Sequence, residues 1–214
     1  MITKKHLTLV ATGLALVLSA CNAPASTPNS NAPSSGGSPA VTSKTTATPD
    51  TKTTSPSPEA EANAVPSWQE YKSESGKFSV QMPNKPQEQT QNQKDVKLNI
   101  VAAEVGPSAY FVGYADFPNK VQESEIQAGL TQSVKGAMTN LQGEIKTEKE
   151  TKLDGYPCRD FDGVGKIDKV EINIKGRFCF VENRLYQVFA LGDKTKISPA
   201  DVDKFIESFK LLKV

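Results

Sequence analysis

The chain has 214 residues, with 25 Lys and Arg against 24 Asp and Glu, a net charge of +1. Such balance supplies no basic field for nucleic acid or for a polyanionic lipid surface. There is one histidine, His6, and only three cysteines, which excludes Ser-His-Asp and Cys-His catalysis beyond the first residues and a zinc site built from four thiolates.

Taken in chain order, the first element is a basic start, Lys4 and Lys5, followed by fourteen largely apolar residues from Leu7 to Ala20. This pattern is that of a secretory signal. A helix needs ~20 apolar residues to cross the hydrocarbon core, so a permanent signal anchor is the poorer reading; secretion without a lipid is the other alternative. Leu18-Ser19-Ala20-Cys21 resembles the lipobox of bacterial lipoproteins. The resemblance implies cleavage after residue 20, a diacylglyceryl group on the Cys21 sulfur and an acyl group such as palmitate on its new amino terminus. Two acyl chains already anchor a protein stably, at about 0.8 kcal/mol per buried methylene. Removal of residues 1–20 takes away Lys4 and Lys5 and leaves the chain near −1.

Residues 21–66 comprise the candidate lipidated cysteine and a segment holding eight of the fourteen prolines, with Ser, Thr, Ala and Asn filling most of the rest. It is too poor in large apolar residues to offset an ordering cost of ~1–2 kcal/mol per residue. The expectation is a disordered tether, spanning roughly 37 Å as a flexible coil and about 140 Å if extended. The folded part is expected over residues 67–214 as one domain.

Phe78, Val80 and Met82 alternate along Lys77–Pro83, a strand that Pro83 ends. Val96–Val105 gives a second strand. Ala109–Phe117 gives a third, apolar on both faces and therefore covered on both sides. Ile126, Leu130, Val134, Met138 and Leu141 then form a helical stripe, with Ser124 placed to cap it. Glu144–Leu153 is polar and reads as an edge strand. Asp154-Gly155-Tyr156-Pro157 reads as a turn. Cys158–Gly165 and Val170–Val181 read as a long hairpin, followed by a strand over Leu185–Leu191. A last helix opens at Ser198, with Pro199 at its first position and Asp201 three after the cap. The fold class expected is α+β: an antiparallel sheet of six to seven strands with helices packed on its faces.

A turn centred on Asp168-Lys169 fixes the hairpin register. Cys158 then faces Cys179, Asp160 faces Arg177, Asp162 faces Lys175, and Phe161 lies over Gly176. The cysteines are either a disulfide formed in an oxidising compartment or two reduced, packed thiols. Nothing resembles a redox Cys-x-x-Cys motif. Asp160, Asp162, Lys175 and Arg177 make a polar hairpin face and the candidate binding surface.

Other patterns are weaker. Asp160-Phe161-Asp162-Gly163 lacks the third oxygen ligand and the distant Glu of a calcium loop. Asp116 with Glu123 and Glu125 is a candidate acidic pair, although acids at a helix start are favoured by the helix dipole alone. Trp68, Tyr71 and Phe78 are either a recognition patch or an aromatic segment closing one end of the core. No catalytic residue, metal site or cofactor is nominated.

Several short motifs together resemble one family: Trp68-x-x-Tyr71, Gly76-x-Phe78-Ser79-Val80-x-Met82-Pro83, Gly155-Tyr156-Pro157-x-Arg159-Asp160, Asn183-Arg184-Leu185-Tyr186-Gln187 and Phe205-Ile206-x-Ser208-Phe209. They are similar to the PsbP-like group of envelope lipoproteins and photosystem extrinsic subunits. The resemblance covers residues 67–214 and implies an α/β/α sandwich with an accessory, non-catalytic role. The expected function is a lipid-anchored binding or assembly module on the outer side of a bacterial membrane, facing the periplasm or lumen. Its expected partners are the membrane, through the lipid, and a protein complex of the envelope or thylakoid lumen. A carboxylate-based envelope hydrolase and a purely structural envelope lipoprotein are the alternatives.

Overall fold

The computed structural model describes residues 66–93 and 96–213. The signal segment, Cys21 and the tether up to residue 65 lie outside these described residues. Ten strands and two helices follow in the order β1 (Trp68–Ser73), β2 (Phe78–Pro83), β3 (Gln87–Gln93), β4 (Val96–Val105), β5 (Ser108–Asp116), α1 (Glu123–Asn140), β6 (Glu144–Leu153), β7 (Tyr156–Ile167), β8 (Val170–Val181), β9 (Arg184–Asp193), α2 (Pro199–Ser208) and β10 (Lys210–Leu211). Seven strands form one antiparallel sheet ordered β3-β4-β5-β9-β8-β7-β6; the others form a small antiparallel sheet ordered β1-β2-β10. The fold is α+β and sandwich-like, and the seven strands of its main sheet fall within the six to seven expected.

The hairpin register follows from its turn. Asp168 and Lys169 both have positive φ, 48° and 70°, the two-residue geometry whose twist matches that of antiparallel strands. Ile167 therefore pairs with Val170, and the register runs out through Asp162↔Lys175, Phe161↔Gly176 and Asp160↔Arg177 to Cys158↔Cys179, as expected.

Because strand side chains alternate, the large sheet presents two apolar faces. On one, Phe111, Phe161, Ile172, Ile174, Phe178 and Phe189 pack with Leu130, Val134, Ala137 and Met138 of α1. On the other, Val101, Tyr110, Val112, Tyr186 and Val188 meet Phe78, Val80 and Met82 of β2 and Val202, Phe205 and Ile206 of α2. The sheet is thus covered by a helix on one side and by a helix plus the small sheet on the other. Phe205, fully buried, contributes about 1.5–3 kcal/mol through its burial.

Three expectations are corrected. The first helix is capped by Gln122, whose side chain makes no capping bond, and not by Ser124, which lies inside the first turn. Glu123 and Glu125 occupy that turn instead, where the helix dipole favours acids. The turn expected over residues 154–157 is confined to Asp154 and Gly155, both with positive φ; Tyr156 already pairs with Leu153. The strands β1, β3 and β10 were not expected. β3, Gln87–Gln93, contains no apolar residue to betray its period, and β10 is two residues long and exists by pairing with β2. The second helix begins as expected, with Ser198 Oγ accepting from the Asp201 amide at 3.2 Å and Pro199 in its first turn.

Gly176 is required by packing. A Cβ there would stand 2.7 Å from both the Phe161 and Phe189 rings. Those rings also contact each other edge to face at 5.4 Å, so neither has room to retreat. Gly176→Ala is expected to cost about 1–3 kcal/mol by overpacking, read as a lower urea midpoint with an unchanged slope.

Candidate functional site: the charged hairpin and the sheet end

All four residues of the candidate surface sit on one face of β7 and β8, the face shared with α2. Asp160 and Arg177 form a two-pronged ion pair, with Nε donating to Oδ1 at 2.6 Å and Nη2 to Oδ2 at 2.8 Å. Both side chains are largely buried, 17% and 18% exposed. Thr151 Oγ1 donates a further bond to Asp160 at 3.0 Å. Burial pushes the Asp160 carboxyl up, but the Arg177 hydrogen bonds and charge, with Thr151 and Lys149, outweigh it and hold the group below the usual aspartate value.

The next rung behaves differently. Lys175 lies opposite Asp162 in the register, yet its Nζ donates to Asp203 Oδ1 of α2 at 2.6 Å. Asp162 accepts from Thr147 Oγ1 of β6 at 2.7 Å. The hydrogen bond from Lys175 to Asp203, with further support from the charges of Asp162 and Glu207, raises the Lys175 ammonium. Asp203 and Glu207, one helical turn apart, therefore seat the acidic side of α2 over the two hairpin cations. The four sequence-nominated residues are brought together, and three of them hold the hairpin to its neighbours: Asp160 and Asp162 to β6, and Lys175 to α2. Next to them Cys158 and Cys179 are fully buried and joined by a disulfide, with an S–S distance of 2.01 Å.

A second polar cluster closes the sheet end beside the β1–β2 turn. Arg184, the first residue of β9, donates to both carboxylate oxygens of Asp116 at 2.6 and 2.8 Å and to the Ser75 carbonyl at 3.0 Å. Its guanidinium carbon stands 5.0 Å from the Tyr114 ring centroid and 5.9 Å from that of Tyr186, within cation–π range. Tyr186 Oη donates to the Gly76 carbonyl at 2.6 Å, and the Tyr114 and Ser75 hydroxyls are 2.9 Å apart. Asp116 is thus the partner of Arg184 across the β5–β9 pair, whereas Glu123 and Glu125 serve the start of α1. On the opposite sheet face, Arg159 bridges Glu148 at 2.9 Å, Glu150 at 2.8 Å and Gln127 of α1 at 3.1 Å.

The aromatic start of the domain packs inward. Phe78 is fully buried, Trp68 meets Tyr110 edge-on at 5.6 Å, and Lys204 of α2 lies 4.5 Å from the Trp68 ring centroid. Tyr71 Oη donates to Glu88 Oε1 at 2.6 Å. Among the described residues, no group of three or more His, Cys, Asp or Glu side chains is arranged to hold a metal ion.

Arg184, Asp116, Tyr186, Asp203 and Arg159 carry the polar architecture and were missed as partners by sequence reasoning. The contacts of Arg184 with Asp116 and of Lys175 with Asp203 join different elements, 68 and 28 residues apart. Knowledge of the β5–β9 register would have paired the first, whereas the second depends on how α2 lies across the sheet.

No family model and no curated protein sequence matches the chain. Among solved structures, LpqN of Mycobacterium tuberculosis, described as involved in cell envelope biogenesis, superposes with a TM-score of 0.44 and 8% identity, over 72% of this chain and 96% of that one. PA94 of Pseudomonas aeruginosa gives 0.38 and 11%, over 63% and 85%. A Bacteroides thetaiotaomicron protein gives 0.37 and 13%, over 64% and 46%. None of the three is described as PsbP-like, and scores this low transfer no function.

Two outcomes follow from the hairpin. A carboxyl held below its unfolded value of ~3.9 adds stability that is present above about pH 4 and lost as pH falls through the lower folded value. Asp160→Asn is therefore expected to cost about 1–3 kcal/mol at pH 7, with its difference from wild type narrowing below about pH 4 in urea unfolding series. Replacing both Cys158 and Cys179 by Ala removes a cross-link between residues 21 apart, and is expected to cost about 3 kcal/mol in denaturant unfolding; alkylation of the native protein without reductant, followed by mass spectrometry, should leave both cysteines unmodified.

Proposed function

We propose that the protein is a lipid-anchored, non-catalytic module on the outer side of a bacterial membrane, where its domain docks on or helps assemble a larger membrane complex. The observation that carries this reading is Leu18-Ser19-Ala20-Cys21 after a short apolar run, followed by a Pro/Ser/Thr-rich segment of about 45 residues long enough to hold a domain well clear of a bilayer. A disulfide in the domain fits an oxidising compartment. The carboxylates nominated from sequence are also tied up: Asp160 by Arg177, Asp162 by Thr147 and Asp116 by Arg184. Such groups hold domains together more readily than they shuttle protons near neutral pH. The PsbP-like reading belongs here as well. Gly76, Phe78, Tyr186 and Phe209, drawn from three of its motifs, converge on one aromatic cluster, as residues selected for a shared fold would.

The test begins with the anchor. Cys21→Ser should move the protein from the membrane fraction to the soluble fraction or leave it unprocessed; a variant that is still correctly cut and membrane-bound would contradict the lipid assignment. Crosslinking in intact cells, followed by purification through a C-terminal tag, should recover one stoichiometric membrane complex. Recovery of the chain alone in repeated experiments would contradict the docking role.

A further inference from the structure

The two edges of the main sheet are built differently. β6, at one edge, carries six charged residues in ten: Glu144, Lys146, Glu148, Lys149, Glu150 and Lys152. It also has a register shift between Ile145 and Thr147. Charges and irregularities of this kind block edge-to-edge pairing. β3, at the other edge, reads Gln-Glu-Gln-Thr-Gln-Asn-Gln. Its one charge, Glu88, is engaged by the Tyr71 hydroxyl of its own subunit. It has no proline and pairs with β4 without a shift from Gln87↔Ala102 to Gln93↔Val96. Among the described residues, one side of this regular seven-residue strand has no ladder partner in the sheet order.

The residues of β3 repeat in reverse about Thr90, except that Asn92 answers Glu88. A two-fold axis there makes an antiparallel pair with a second β3, in which Thr90 faces Thr90, Gln89 faces Gln91 and Glu88 faces Asn92. Every opposed pair is then uncharged or joins a carboxylate to an amide that donates to it. No like charges meet, which in directly opposed strand positions would be destabilising. Centring the axis on Glu88 instead would oppose two carboxylates, and a parallel pair is not generated by a two-fold axis through the strand centre. A closed, self-complementary contact is also the commonest basis of homodimers.

We propose that β3 is a homodimerisation edge. Two copies join antiparallel about Thr90, so that their seven-stranded sheets run on as one. The occupant is a second copy of this chain, because centring on Thr90 opposes all seven residues of the strand with no like charges meeting, and its opposite edge is charged against pairing. Two domains joined this way place their covering helices and small sheets in two-fold repetition, which would give a docking module two equivalent contact surfaces.

The test uses single cysteines in the full chain carrying Cys21→Ser, with the native disulfide retained. Opposed strand residues have Cβ atoms ~4.5–5.5 Å apart, within reach of a disulfide. Thr90→Cys should form a covalent dimer under mild oxidation. Glu88→Cys and Asn92→Cys should each do so poorly alone and efficiently when mixed, and Lys149→Cys on β6 should not. Thr90→Lys, which sets two ammonium groups face to face, should weaken dimerisation at least tenfold in sedimentation equilibrium while lowering the thermal midpoint of the monomer only by as much as Thr90→Val, which likewise loses the exposed bond from Thr90 Oγ1 to Asn99 Oδ1 and leaves dimerisation intact. A protein that is monomeric at ~100 μM, or one that crosslinks through Lys149→Cys as readily as through Thr90→Cys, overturns the proposal; so does a peptide or partner protein occupying β3 in place of a second copy.

Discussion

The turn at Asp168-Lys169 governs the arrangement of everything around it. Side chains alternate along a strand, so a slip of one residue between β7 and β8 would turn one strand's residues to the wrong faces of the sheet. With the observed pairing, Cys158, Asp160, Arg177 and Cys179 look toward α2 and the small sheet, while Phe161, Ile172, Ile174 and Phe178 look toward α1. The disulfide, the two-pronged ion pair and the packing of Phe161 over Gly176 are three independent checks on one register. Each would fail in any other.

From that hairpin the two layers follow. α1 lies on the aromatic face and is tied down at its outer side by Arg159, which also gathers Glu148 and Glu150 from β6. α2 lies on the other face, where its Val202, Phe205 and Ile206 are buried and its Asp203 takes the Lys175 ammonium. Charged residues here act as clamps between elements. Their energetic value depends on burial: the exposed pairs contribute little, whereas Asp160 and Arg177, largely buried on the α2 face of the sheet, contribute through well-aligned charge-assisted bonds.

What the sequence disclosed was what neighbouring residues decide for themselves. The alternation of Phe78, Val80 and Met82, the apolar stripe of α1, the Ser198 cap and the cysteine-bearing hairpin all depend on residues close in the chain or on a single turn. What it concealed depends on distant partners. β3 is a strand only because β4 pairs with it, and β10 only because β2 does. Ser124 had the right side chain for a cap, but the helix starts one residue before it, at Glu123. Lys175 has Asp162 opposite and still turns to Asp203, a choice set by the position of a helix that no local pattern fixes. Gly76 and Phe78 stand far from Tyr186 and Phe209 along the chain, and their convergence on one aromatic cluster is a property of the folded domain.

The small sheet joins the beginning of the domain to its end: β2 is flanked by β1 on one side and by β10, formed by Lys210 and Leu211, on the other. Gln81 donates its amide to Ser208 Oγ at 2.8 Å, and the Leu212 amide reaches the Lys77 carbonyl at 3.0 Å. Contacts of such long sequence separation slow folding. They also mean that β1 and β2 wait for residues 208–212 before their layer closes. A chain emerging amino terminus first from a ribosome or a translocation pore would therefore leave this layer open until Lys210 and Leu211 had followed.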